Sequence, residues 1–155
     1  MIKVIAFDLV GVLVKDSKFN SDIEGSKELI KSLKIINNSY APKNLRIFEE
    51  IKKIDKNLKL VIATNNVPLI RQWIGNNFST KFIDKIYISS ELGYRKPSPE
   101  FFKKILKDYN IKPEELLLID DMQRNILGAK ALGIKAVLLK NFRDLKKEVL
   151  KKLES

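Results

Sequence analysis

The chain has 155 residues, 30 Lys and Arg against 19 Asp and Glu, a formal net charge of +11, and neither cysteine nor histidine. That composition removes disulfides, thiol nucleophiles, imidazole acid–base chemistry and any zinc site built from those ligands. The length suits a single domain over 1–155, large enough to take roughly two thirds of its unfolded surface out of water.

The positive balance would attract anions. Its lysines, however, fall in pairs such as Lys52-Lys53, Lys103-Lys104 and Lys146-Lys147 on polar helical faces. A solvated surface is therefore expected rather than a nucleic-acid groove, and no nucleic-acid recognition motif accompanies them. No uninterrupted apolar run reaches about 18 residues, and the first residues carry no small-residue cleavage site. A cytoplasmic protein with no membrane span is the expectation.

Taken in order, the first element is an apolar strand from Ile2 to Phe7, closed by Asp8 and a turn at Gly11. A carboxylate at the end of a buried strand is costly unless it binds a metal or does chemistry, which makes Asp8 the first candidate functional group. Residues 15–42 break the pattern that follows: they hold one helical stretch, Ile23 to Ile36, and the polar run Asn37-Asn38-Ser39-Tyr40, and read as a small helical cap insert over the strand ends. A helix over Leu45 to Asn57 would place Ile47, Ile51, Ile54 and Leu58 on one stripe. Strands follow at Leu58 to Ala63, Lys85 to Ser89, Leu116 to Ile119 and Lys135 to Leu139. Between them, helices are predicted over Val67 to Asn77, from Ser98-Pro99 through Phe102, Ile105, Leu106 and Tyr109, and over Gln123 to Leu132. Gly133 caps the last of these, whose Gly128, Ala129 and Ala131 would permit close approach to the sheet. An amphipathic helix over Asn141 to Leu153 ends the chain.

Apolar strands without clean alternation, separated by helices, imply a parallel five-stranded sheet covered on both faces: a doubly wound, Rossmann-like α/β fold. Ligands in such folds bind at the carboxyl ends of the strands. Those ends carry Asp8, then Thr64-Asn65, then Ser89-Ser90 followed by Lys96, then Asp120-Asp121. Two carboxylate clusters, a hydroxyl and an ammonium could thus meet in one crevice. The adjacent carboxylates of Asp120 and Asp121 repel each other unless a cation or lysine lies between them. There is no Gly-x-Gly-x-x-Gly after the first strand and no Gly-Lys-Ser/Thr phosphate loop.

Four motifs in this order resemble the haloacid dehalogenase-like hydrolase superfamily over nearly the whole chain. They are Asp8-Leu9-Val10-Gly11-Val12-Leu13, Leu60-Val61-Ile62-Ala63-Thr64-Asn65, Gly93-Tyr94-Arg95-Lys96-Pro97 and Leu118-Ile119-Asp120-Asp121-Met122-Gln123-Arg124-Asn125. The resemblance implies that Asp8 is the nucleophile, forming an aspartyl-phosphate, with Lys96 neutralising charge on it and on the phosphate. Thr64 and Asn65 would then bind the phosphoryl oxygens. Mg²⁺ would rest on Asp8, the backbone carbonyl of Val10 and Asp121, with Asp120 or Asn125 joining directly or through water. The implied partner is a phosphorylated substrate, and a homo-oligomer stays open.

The chain departs from the family pattern at Val10, where most phosphatases of the superfamily carry a second aspartate that protonates the leaving oxygen and then activates water. Losing a general acid/base removes about two to four orders of magnitude in rate. A phosphatase that is slow, prefers good leaving groups or borrows Asp16, Asp22 or Glu24 from the insert is one reading. A dehalogenase- or phosphonatase-type C–X bond hydrolase is a second, and an impaired domain that binds phosphate or a protein partner is a third.

Overall fold

The structure, a computed structural model, describes residues 1–14, 46–77 and 79–154. The expected cap insert at 15–42, with its helix from Ile23 to Ile36 and the acidic Asp16, Asp22 and Glu24, lies outside the described residues.

Five parallel strands form one sheet: β1 (Val4–Phe7), β2 (Lys59–Thr64), β3 (Lys85–Ile88), β4 (Leu116–Asp120) and β5 (Lys135–Leu138), in the order β3-β2-β1-β4-β5. The chain steps outward from β1 to β2 and β3, then returns to set β4 on the other side of β1. That reversal puts the switch point, where α/β sheets bind ligands, at the carboxyl ends of β1 and β4. Phe7 is paired with both Ile62 and Ile119, so Asp8 emerges level with the tops of the two neighbouring strands.

Strand residues alternate between two buried layers. Ile5, Phe7, Leu60, Ile62, Leu117 and Ile119 join one, covered by α1 (Arg46–Ile54), α2 (Ile70–Asn77) and α6 (Leu145–Glu154). Val4, Ala6, Val61, Ala63, Leu116 and Leu118 join the other, covered by α4 (Pro99–Tyr109) and α5 (Gln123–Ala131). Both faces are therefore apolar, which is why these strands carry near-continuous hydrophobic runs. No helix among the described residues is long and apolar enough to cross a membrane.

Several elements differ from the sequence expectation, each for a local reason. α1 stops at Ile54, which is 60% exposed, and the buried stripe instead uses Ile47, Phe48 and Ile51. Phe48 meets Phe7 edge to face with ring centroids 5.2 Å apart, a geometry aromatic pairs favour. α2 begins at Ile70 rather than Val67, after a turn containing Pro68. A single helical turn, α3 (Ser89–Leu92), follows β3 directly and ends at Gly93 with φ +75. Gly133, at φ +81, follows α5 in the left-handed conformation that glycine adopts without a Cβ penalty. Ala129 of α5 is buried but Ala131 is exposed. A 3₁₀ turn at Phe142–Asp144 precedes α6, so the final helix starts later than Asn141.

Candidate active site

Asp8 leaves β1 with its backbone N–H donating to the Ile119 carbonyl at 2.9 Å, which fixes it beside the end of β4. The chain then folds into a tight turn in which Gly11 N–H donates to the Val14 carbonyl at 2.8 Å. Leu9, Val12, Leu13 and Val14 are all buried there. Gly11 has φ +90, and a Cβ at that position would lie 2.2 Å from Asp121 Oδ2. Its missing side chain thus lets the β1 turn close against the carboxylate that follows β4.

Lys96 comes from the loop between α3 and α4 and is only 1% exposed. Its main chain is clamped by Asn65, whose Nδ2 donates to the Lys96 carbonyl and whose Oδ1 accepts from the Lys96 N–H, both at 2.8 Å. The Asn65 side chain is therefore committed to positioning Lys96. On the other side, Gly128 of α5 lets the helix touch the next residue: a Cβ there would stand 2.5 Å from Pro97 Cβ and 2.8 Å from the Pro97 carbonyl oxygen. The clamp and this close contact define where the lysine enters the crevice.

The Lys96 ammonium lies 3.1 Å from Asp8 Oδ1 and 2.6 Å from Asp120 Oδ2. Asp120, fully buried, also accepts from the Met122 N–H at 2.9 Å and from Asn125 Nδ2 at 3.0 and 3.1 Å. Both its oxygens are therefore occupied by donors. Those bonds also orient the Asn125 amide, because the reverse orientation would set its oxygen against a carboxylate. Asn125 Oδ1 is left buried without a hydrogen-bond partner. Thr64 is the last residue of β2 and is 2% exposed.

Asp8, Asp120 and Asp121 each offer an oxygen within 4.8 Å of the others. Burial, reinforced by Asp120 and Asp121, pushes Asp8 up to about 8 despite the pull of Lys96. Burial and Asp120 likewise raise Asp121, which is within hydrogen-bonding reach of Asp8. Burial alone would lower Lys96, but Asp120 and Asp8 overcome it and hold the ammonium protonated. Three carboxylates against one ammonium leave two negative charges when all are ionised, the charge a divalent ion would balance. An all-oxygen, carboxylate-rich donor set suits Mg²⁺ rather than a softer metal, so the residues present fit the ion that the sequence resemblance implies.

Val10 is half-buried, and its side chain packs against the core layer that contains Phe7 and Phe48. Beside the Asn65–Lys96 clamp opens a cavity of about 320 Å³ lined by Asn66, Val67, Ser89, Ser90, Tyr94 and Arg95. Ser89 Oγ helps shape it by accepting from the Asn66 N–H at 3.0 Å.

A family model for the haloacid dehalogenase-like hydrolases matches residues 8–139, and the chain belongs to that family. It is similar to a D-ribitol-5-phosphate phosphatase from Bacteroides thetaiotaomicron, with 31% identity over 113 residues, 68% of this chain and 55% of that protein. It also resembles a glyceraldehyde 3-phosphate phosphatase from Pyrococcus furiosus, 43% identical over 82 residues, 51% of this chain and 34% of that protein. The chain therefore spans about half or less of the length of these relatives. Among solved structures, a predicted HAD-like family hydrolase from Porphyromonas gingivalis superposes with a TM-score of 0.74 at 21% identity, covering 100% of this chain and 99% of that one. An HAD family enzyme from Bacteroides thetaiotaomicron in complex with magnesium and inorganic phosphate gives a TM-score of 0.66 at 21% identity, covering 89% and 94%. At these identities the two structures establish the shared fold.

Proposed function

We propose that the protein is a Mg²⁺-dependent phosphatase or phosphoryl-transfer enzyme working through an aspartyl-phosphate on Asp8. The observation that carries this reading is the Lys96 ammonium bridging Asp8 and Asp120, with the Asp121 carboxylate in the same cluster. Phosphatase names among its relatives support the same class of substrate.

Asp8 attacks phosphorus as the carboxylate, a nucleophile whose mixed anhydride with phosphate is itself open to hydrolysis. Lys96 lies against the attacking carboxylate and offsets the charge that gathers as a phosphoryl group approaches. Asp120 acts through Lys96: with its oxygens filled by Lys96, Asn125 and the Met122 N–H, it holds the ammonium in place and is a positioning residue. Asp8, Asp121 and the Val10 carbonyl would hold Mg²⁺, with Asn125 Oδ1 as a spare buried acceptor in the neighbourhood. When bound, the ion lowers the repulsion between the carboxylates and an incoming phosphate and draws charge from the phosphoryl oxygens. Thr64, at the end of β2, would donate its hydroxyl to a phosphoryl oxygen.

The test is formation of a beryllofluoride adduct, which mimics the aspartyl-phosphate without needing turnover. A Mg²⁺-dependent adduct on Asp8, seen by mass spectrometry or fluorine NMR and lost in Asp8→Asn, is expected. Absence of the adduct at saturating Mg²⁺ would refute the proposal.

A further inference from the structure

Displacing an alkoxide from phosphorus needs a proton delivered to the departing oxygen, whereas a carboxylate or phosphate leaves as the free anion. Among the described residues, the groups clustered with Asp8 are each engaged elsewhere, Asp121 with the cation in the reading above. Lys96 is held between Asp8 and Asp120 by ion pairs of 3.1 and 2.6 Å. Asp120 accepts hydrogen bonds at both oxygens and is fully buried. Asn125 turns its amide N–H to Asp120. Val10, two residues beyond Asp8, offers only a half-buried hydrocarbon side chain, and the whole chain contains no histidine.

We infer that this site takes phosphoric anhydrides, meaning acyl phosphates or diphosphates, in preference to phosphate esters of alcohols. The inference rests on the phosphoryl-transfer proposal above and narrows its substrate. In the first step an Asp8 oxygen bonds to phosphorus while the bond from phosphorus to the leaving oxygen breaks. That oxygen keeps the electron pair and departs as a carboxylate or phosphate without gaining a proton. In the second step a water oxygen bonds to phosphorus, the Asp8–phosphorus bond breaks with its electron pair returning to the carboxylate, and the proton released by water passes to solvent as inorganic phosphate departs.

The experiment measures kcat/KM with Mg²⁺ for acetyl phosphate, 4-nitrophenyl phosphate, phenyl phosphate and ethyl phosphate, which order the leaving groups from most to least acidic. The expected fall from acetyl to ethyl phosphate is about a hundredfold or more, the contribution of a missing general acid. Val10→Asp, which restores a proton donor, should narrow that spread by about a hundredfold, while Val10→Asn, similar in size but without the proton, should leave it wide. Thermal unfolding of both variants establishes that they fold. A second readout needs no variant: wild-type kcat/KM for acetyl phosphate should be nearly equal in H₂O and D₂O, since no proton moves as the leaving group departs.

Ethyl phosphate cleaved by wild type within about tenfold of acetyl phosphate would overturn the inference. If that flat profile steepened in Asp16→Asn, Asp22→Asn, Glu24→Gln or Tyr94→Phe, the donor would be identified as well. A beryllofluoride adduct on Asp8 without turnover of any of the four compounds would sink the inference and leave the phosphoryl site standing. Neither adduct nor turnover would remove both.

Discussion

Lys96 stands closer to Asp120, at 2.6 Å, than to Asp8, at 3.1 Å, although Asp8 is the carboxylate that would react. The shorter contact belongs to the more deeply buried pair, and it leaves Asp8 the less tightly held member of the triad. A fixed partner on one side and a looser one on the other is an arrangement in which a lysine can serve an incoming anion without being pulled out of place.

Removing that ammonium should cost both stability and activity. Lys96→Met leaves two buried carboxylates facing each other, and breaking such a pair destabilises by about 3–5 kcal/mol. The loss should be smaller at pH 5 than at pH 8, because burial lets Asp8 take up a proton at the lower pH. Urea denaturation at the two pH values measures the difference, and equal losses would show that Lys96 contributes mainly by packing.

Metal removal should make stability fall as pH rises. In the metal-free protein burial holds Asp8 up to about 8, while in the unfolded chain its value is the ordinary 3.8. Between these values the folded state binds the proton and the unfolded state does not, so stability declines from about pH 4 to about pH 8 and levels off above. Mg²⁺ competes with that proton, so its affinity should climb over the upper part of the same window. Thermal melts in EDTA and in Mg²⁺ across pH 5–9 would give diverging curves, and parallel curves would count against an ion at Asp8.

Gly128→Ala tests the wall that supports Lys96. The new methyl would lie 2.5 Å from Pro97 Cβ and 2.8 Å from its backbone oxygen. Overpacking of this kind costs about 1–3 kcal/mol, and any relief requires the Lys96 loop to shift. The expected result is a larger fractional loss of kcat than of KM, with a lowered melting temperature. A variant with unchanged kcat would mean that the contact does not position the lysine.

The acid limb of stability should contain a contribution from Asp108 of α4, which is not part of the carboxylate cluster at Asp8. Partial burial raises its carboxyl, but hydrogen bonds from Lys104, Lys85 and Tyr87 prevail and bring it down to about 2. The Lys85 and Tyr87 contacts are 2.6 and 2.9 Å. A depressed carboxyl stabilises above its unfolded value of 3.8, and the benefit disappears as pH falls through about 2. After discounting for solvent screening, Asp108→Asn should cost about 1 kcal/mol at pH 7 and almost nothing near pH 2. Denaturation midpoints at both pH values check the sign.

The sheet and its ligand edge were legible because both rest on strong local signals: apolar runs long enough for buried strands, each ending in a polar residue. Asp8, Lys96, Asp120 and Asp121 meet because strand order brings β1 and β4 side by side. Side-chain partners were less accessible to pattern reading. Nothing in the spacing of Asn65 and Lys96, 31 residues apart, announces that one amide grips the other's backbone. Gly128 was expected to ease packing on the sheet, whereas its close neighbour is Pro97. Ile54 fell outside the buried stripe because α1 ends there, a boundary that periodicity locates only to within a turn. The four-residue α3 is too short to display a period at all.

Whether Asp8 and Asp121 share a divalent cation while Asp120 stays with Lys96 is decided by anomalous diffraction from crystals grown with Mn²⁺ in place of Mg²⁺. The prediction is one peak within bonding distance of the Asp8 and Asp121 carboxylates, with the Lys96–Asp120 pair intact. A peak bonded to Asp120 instead, or no peak beside Asp8 at millimolar Mn²⁺, would contradict it.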